Sequence, residues 1–183
     1  MRIISGQAKG RALKVPRGVS RPTTDRVRES VFGVLAPVIA GAKVLDLFAG
    51  SGSLGLEALS RGANQCVFVE RDRGACRVIE ENLKKTALAG GQIRPMEVSR
   101  FLQGRGSGFD LVFADPPYAD GLSDPSSELM KVDDWSDWLA DEGYLILEQE
   151  ASSDLMDLGG LEVLQSREYG RSRITFYRKE AGA

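Results

Sequence analysis

The segment Val44-Leu45-Asp46-Leu47-Phe48-Ala49-Gly50-Ser51-Gly52-Ser53-Leu54-Gly55 decides the fold. An apolar run enters a glycine-rich turn and leaves it as a helical stretch over residues 53–61, the pattern of a buried strand feeding a helix. Gly50, Gly52 and Gly55 satisfy G-x-G-x-x-G, and glycine lets a backbone come close to a ligand. Taken alone, the pattern fits a tight strand-helix turn. It also fits a pyrophosphate seated on the helix N-terminus, with an acidic residue about twenty positions later for a ribose. Glu70 closes the next apolar run, residues 65–70, and meets that requirement. Asp46 points elsewhere, because a carboxylate on the approach to the turn repels a pyrophosphate but accepts a hydrogen bond from an ammonium.

Outward from this segment, strands and helices alternate. The chain reads as strand 43–48, helix 53–61, strand 65–70, helix 72–88, strand 93–97 and, after a glycine-rich stretch, strand 109–114. Such alternation implies a parallel sheet with right-handed crossovers. A helix over 127–139, a strand over 144–148 and a closing hairpin of 161–167 and 173–177 around Tyr169-Gly170 complete the expected sheet. Trp135 and Trp138 read as core. Upstream, residues 2–5 and 13–15 flank a glycine-bounded turn and form a small hairpin. Thr23, Thr24 or Asp25 then caps a helix with Val27, Val31, Val34 and Leu35 on one face. The chain thus divides into an N-terminal extension, residues 1–41, and an α/β domain, residues 42–183. Open α/β sheets bind ligands beyond the carboxyl ends of their strands, where Gly50, Glu70, Glu97 and Asp115 all fall.

Asp115-Pro116-Pro117-Tyr118 follows the strand 109–114. Its prolines lack N–H donors and hold φ fixed, so the nearby carbonyls point in set directions as acceptors. Asp115 adds a carboxylate. The Tyr118 ring offers a stacking face worth about 1 to 3 kcal/mol per base in single-strand binders. The four residues describe a socket for an amino group on a flat heterocycle, with a plain proline turn as the alternative.

Composition narrows the chemistry. At 183 residues the chain has room for one domain with a substantial core. With 42% apolar and 27% charged residues it is expected to fold in water, and it has neither a membrane-length apolar run nor a signal-peptide pattern, so a cytoplasmic location is expected. There is no histidine, which removes Ser-His and Cys-His nucleophiles. Cys66 and Cys76 lack metal-ligand spacing, so both are expected to be reduced structural thiols and no metal is expected. Net charge is −2, yet residues 1–28 carry eight Arg and Lys against Asp25 alone, a local +7 beside −9 in the remainder. A basic arm on an acidic body fits a polyanion at one face; a solvated charged surface is the competing reading.

The glycine segment together with Asp-Pro-Pro-Tyr resembles the Rossmann-like class I amino-methyltransferases. Arg21-Pro22-Thr23-Thr24-Asp25-Arg26-Val27-Arg28-Glu29, the run Leu54-Gly55-Leu56-Glu57-Ala58-Leu59-Ser60-Arg61-Gly62-Ala63 and Tyr169-Gly170-Arg171 resemble the RsmD family. These are bacterial guanine-N2 methyltransferases of small-subunit (16S) ribosomal RNA. The resemblance implies a mostly parallel seven-stranded sheet with helices on both faces and the last strand antiparallel. It implies S-adenosylmethionine as cofactor, S-adenosylhomocysteine as product, and a monomer acting on 16S rRNA in the small subunit or an assembly intermediate. Asp46, Phe48, Gly50, Ser51, Gly52, Glu70, Arg71, Glu97, Val98 and Asp115 would hold the cofactor. Glu97 departs from the Asp usual there. Asp115, Pro116, Pro117 and Tyr118 would perform the reaction, and Arg11, Arg17, Arg21, Arg26, Arg28 and Arg171 would contact RNA. Two alternatives stay open: methylation of adenine N6, since such enzymes share the tetrapeptide, and a non-catalytic RNA-binding assembly factor.

Overall fold

The computed structural model describes residues 1–16, 24–106, 108–117 and 125–179. Its centre is a seven-stranded sheet in the order β3-β2-β1-β4-β5-β7-β6. Here β1 is Lys43–Leu47, β2 Gln65–Glu70, β3 Gly91–Pro95, β4 Phe109–Ala114, β5 Leu139–Glu150, β6 Leu161–Tyr169 and β7 Ser172–Lys179. The first five strands are parallel, and β7 lies antiparallel between β5 and β6. The order reverses between β1 and β4, which neighbour each other at the switch point where α/β sheets open a ligand crevice.

Alternating residues of each strand feed two separate cores. On one face Val44, Cys66, Phe68, Leu111, Phe113 and Ile146 pack under three helices: α1 (Asp25–Leu35), α2 (Ser53–Ser60) and α3 (Arg73–Thr86). On the other face Leu45, Leu47, Val112, Leu145 and Leu147 pack against α4 (Val98–Leu102) and the two tryptophans. The third glycine of the motif is required by packing. A Cβ on Gly55 would lie 2.3 Å from the Phe68 ring and 2.5 Å from Cys66 Sγ, so only glycine lets α2 sit this close to β2.

The N-terminal hairpin exists, joined by an antiparallel bridge from Arg2 to Ala12, and it is stapled onto α2. Glu57, fully buried, accepts from Ile4 N–H at 2.7 Å and Ser5 N–H at 3.0 Å, while Ser60 Oγ accepts from Ala8 N–H at 3.0 Å. Ile3, Ala8 and Leu13 share the core of the three helices. Among the described residues no helix is long and apolar enough to cross a membrane.

Three elements differ from the sequence expectation. The helix expected over 127–139 is two 3-10 turns, Pro125–Lys131 and Trp135–Asp137, with Leu139 already in β5. Asp134 breaks it: its side chain accepts from Ser136 N–H at 2.7 Å, a local bond that competes with helical pairing. Both tryptophans are nevertheless core, as expected. The strand expected over 93–97 is Gly91–Pro95, which leaves Glu97 outside the sheet as the N-cap residue of α4. The strand expected over 144–148 starts five residues earlier, its register shifting between Phe109 and Leu111 of β4.

Candidate active site

Register brings the site together. Leu47 pairs with Val69 on one side and Ala114 on the other, so Phe48, Glu70 and Asp115 leave the sheet along one rim. Asp46, one residue inside that rim, faces α2. Its Oδ2 accepts from Gly55 N–H at 2.9 Å, a bond that satisfies one donor in the first turn of a helix whose N-cap, Gly52, supplies no side-chain bond. Burial pushes the Asp46 carboxyl well above its ordinary 3.8; the Gly55 bond opposes the rise, and repulsion from Asp115 and Glu70 adds to it.

A raised pKa means that folding favours the protonated form, so this contribution is full below the unfolded pKa and is lost as pH rises through the folded one. Asp46→Asn keeps an oxygen for Gly55 and removes the charge. It is expected to stabilise the fold at pH 7 and to give no gain below about pH 3.8, the unfolded value. Urea denaturation at the two pH values checks this; a variant less stable at pH 7 would show that the ionised carboxylate supports the fold.

The glycine turn is held open. Gly50 and Gly52 have φ of 55° and 73°, a region that favours glycine, and a Cβ on Gly50 would meet nothing nearer than Phe48 O at 3.8 Å. Phe48 itself has φ of 56°, a strained conformation of order 1 to 3 kcal/mol for a bulky residue, of the kind that clusters at ligand sites. Glu70 ties the turn to β2: Oε2 accepts from Gly50 N–H and Oε1 from Asp72 N–H, both at 2.8 Å. Each carboxylate oxygen has a second lone pair for a hydroxyl. Further along, exposed Glu97 pairs with Arg71 at 3.6 Å, and the next residue, Val98, is buried.

Asp115 is half-buried at the end of β4, Pro116 is buried and Pro117 exposed. Tyr118 lies outside the described residues, as do Arg17 and Arg21. The remaining arginines divide. Arg11, Arg26 and Arg171 are exposed, with Arg11 Nη1 also donating to Lys85 O at 2.7 Å. Tyr169 Oη meets Ser30 Oγ at 2.5 Å, which packs the C-terminal hairpin, with Arg171 in its turn, beside α1, the helix that carries Arg26. Arg28, by contrast, is not exposed to a partner in this structure. Its side chain is fully buried and donates through Nη2 to Arg2 O at 2.6 Å and Asp25 Oδ1 at 2.8 Å. It shares the inward face of α1 with Val31 and Phe32, and the bond to Asp25 lowers that carboxyl's pKa. Cys66 and Cys76 are free, buried thiols whose pKa values burial raises, which keeps both from acting as thiolate nucleophiles.

Three residues were not singled out from sequence. Buried Asn82 of α3 bonds both the glycine turn and the N-terminal segment. Glu57 holds the hairpin, and Glu128 Oε2 accepts from Ser99 N–H at 2.9 Å, capping α4 from another element. For Asn82 a signal existed: with Ala75, Ile79 and Thr86 it continues the inward stripe of the helix, a polar residue at an apolar position.

A 3-2-1-4-5-7-6 sheet, a glycine turn after β1 and carboxylates ending β2 and following β4 together define the class I methyltransferase fold. Residues 1–178 match the family described as Conserved hypothetical protein 95. The protein of Escherichia coli (strain K12) named Ribosomal RNA small subunit methyltransferase D is 38% identical, over 99% of this chain and 91% of its own. The YlbH protein of Bacillus subtilis is 39% identical, over 98% of this chain and 99% of its own. The solved structure of yhhF from Escherichia coli covers 99% of this chain and 98% of its own, at 39% identity and a TM-score of 0.85. The chain belongs to this family, the RsmD family.

Proposed function

We propose that the chain transfers a methyl group from S-adenosylmethionine to the exocyclic N2 of a guanine in small-subunit (16S) ribosomal RNA. In this proposal it acts as a cytoplasmic monomer on the small subunit or an assembly intermediate. The observation that carries the reading is the shared rim: the glycine turn, Glu70 and Asp115 leave three adjacent strands in one register. The name of the Escherichia coli relative supports ribosomal RNA as the substrate class.

The residues fit the cofactor. The space over Gly50 is one that a side chain would fill, and Glu70 presents a carboxylate suited to paired hydroxyls. When bound, the cofactor supplies an electrophilic sulfonium methyl. The protein supplies position: Asp46, Phe48 and residues 50–52 hold the methionine end, Glu70 and Arg71 the ribose, Glu97 and Val98 the adenine.

An exocyclic amine conjugated into its ring is a poor nucleophile. Asp115 and the Pro116 carbonyl accept its hydrogens and orient its lone pair, and the ring of Tyr118 stacks on the extruded base. Guanine presents adjacent N1 and N2 hydrogens that suit one carboxylate, which favours it over adenine. Mass spectrometry of nucleosides, after incubating undermodified small subunits with labelled cofactor, tests the reading. Labelled N2-methylguanosine is expected; N6-methyladenosine would establish the rival base, and no label would leave an assembly factor.

Arg11, Arg17, Arg21 and Arg26 are proposed to grip phosphates. Changing all four to Gln is expected to weaken RNA binding and flatten its salt dependence by roughly 0.7 to 0.9 in log-log slope for each phosphate no longer neutralised. Calorimetric affinity for the cofactor should stay constant. An unchanged slope would make the basic arm a solvated surface.

A further inference from the structure

We infer that Asn82 is a positioning residue that couples RNA binding to cofactor binding, by sharing one buried carboxamide between the N-terminal segment and the glycine turn. The inference rests on the proposed placement of cofactor at the turn and RNA at the basic arm.

Asn82 lies in the third turn of α3 and is fully buried. Its Oδ1 accepts from Lys14 N–H at 2.8 Å. Its Nδ2 donates to Lys14 O at 3.0 Å and to Ser51 O at 3.0 Å. Both amide hydrogens are therefore used, one on each segment, and the carbonyl oxygen grips the N-terminal segment a second time. Ser51 is the middle residue of the glycine turn. Lys14 lies three residues before Arg17 in sequence, within the basic residues 1–28.

Neighbouring contacts make α3 the common support of both segments. Ile79, one turn earlier, sits where a Cβ on Gly52 would come within 3.2 Å of its Cγ1. Arg11 donates to Lys85 O, and the Lys14 ammonium pairs with Glu81. Two elements 37 residues apart in sequence thus share one hydrogen-bonding group.

A buried amide that loses a partner is penalised well beyond the net value of the bond. If RNA displaces the Lys14 backbone, the buried carboxamide must rotate or lose two of its three bonds, and rotation releases Ser51 O. If RNA instead fixes Lys14 in its present place, the turn is fixed with it. Either way the binding of one ligand changes the cost of ordering the site for the other, and by linkage the effect is reciprocal.

The test is equilibrium dialysis of labelled S-adenosylhomocysteine, with and without saturating small subunits purified from a strain lacking this gene. The unaltered protein is expected to change its affinity for the cofactor product at least about fivefold when the particle is present, the lower end of ordinary coupling. Asn82→Ala should bring that ratio to within twofold of one. Lys14→Pro deletes the N–H that donates to Asn82 Oδ1, together with the ammonium that pairs with Glu81 of α3, and serves if Asn82→Ala fails to fold. Lys14→Gln removes the same charge but keeps the N–H, and should retain the coupling.

Coupling that survives in folded Asn82→Ala, or that is undiminished in Lys14→Pro, which loses the N–H bond and keeps the carbonyl one, overturns the inference. So does a variant that weakens product binding equally with and without particles, because Asn82 would then merely support the turn. An unaltered protein that binds both ligands without mutual effect also overturns it, while leaving the proposed function intact. Failure of the unaltered protein to bind either ligand would instead refute the proposed function.

Discussion

Asp115→Ala is expected to lower the rate of methyl transfer by about a hundredfold or more, the scale on which misplacing a reacting group acts. Affinity for S-adenosylmethionine should change little. In the proposed reaction Asp115 faces the acceptor amine, while the cofactor is gripped by the glycine turn and Glu70. Asp115 also adds to the repulsion that raises the Asp46 carboxyl. Its removal eases the ionisation of Asp46, which offsets part of the attraction that the cofactor's sulfonium loses with the Asp115 charge. Single-turnover rates with undermodified small subunits, beside calorimetry with S-adenosylmethionine, separate the two quantities. Near-normal turnover would remove Asp115 from the reaction, and a large loss of cofactor affinity would move it to the cofactor side.

Glu70→Ala should produce the reverse pattern, a collapse of cofactor affinity. Two hydrogen bonds from ribose hydroxyls to a carboxylate contribute about 1.5 to 3 kcal/mol each. Their joint loss corresponds to a hundredfold or larger rise in Kd. The structure adds a second reason. Glu70 accepts from Gly50 N–H and Asp72 N–H, so its removal also frees the turn that approaches the cofactor. Glu70→Gln keeps one acceptor oxygen and should lose less. If calorimetry found cofactor affinity unaltered in the alanine variant, the ribose would have to bind elsewhere along the rim.

Most of the scaffold was legible because its signals are local. The apolar run before Gly50, the glycines themselves and the alternation of strand-like and helix-like segments repeat within a few residues. They mapped onto β1, α2, β2 and α3 with shifts of at most two residues at the ends. Where the reading failed, a local bond or a distant pairing had overridden the pattern. Asp134 capped a short turn inside an apparent helix, and β5 lengthened because Phe109 paired with Leu139. Glu97 left β3 because pairing with β2 ends at Pro95, opposite Glu70.

Residue types at the site were equally legible, but their partners were not. Sequence by itself determined the fold class and the positions of the glycine turn, Glu70 and Asp115 at strand ends. Hydrophobic periodicity and turn chemistry are properties of neighbouring residues. Only the tertiary structure decided what each polar group touches. It turned Asp46 onto the N–H of Gly55, buried Arg28 against Asp25 and the Arg2 carbonyl, and placed Asn82 between Lys14 and Ser51. A buried charge or amide must find its partner wherever packing leaves one, so its role is set by elements far away in the chain.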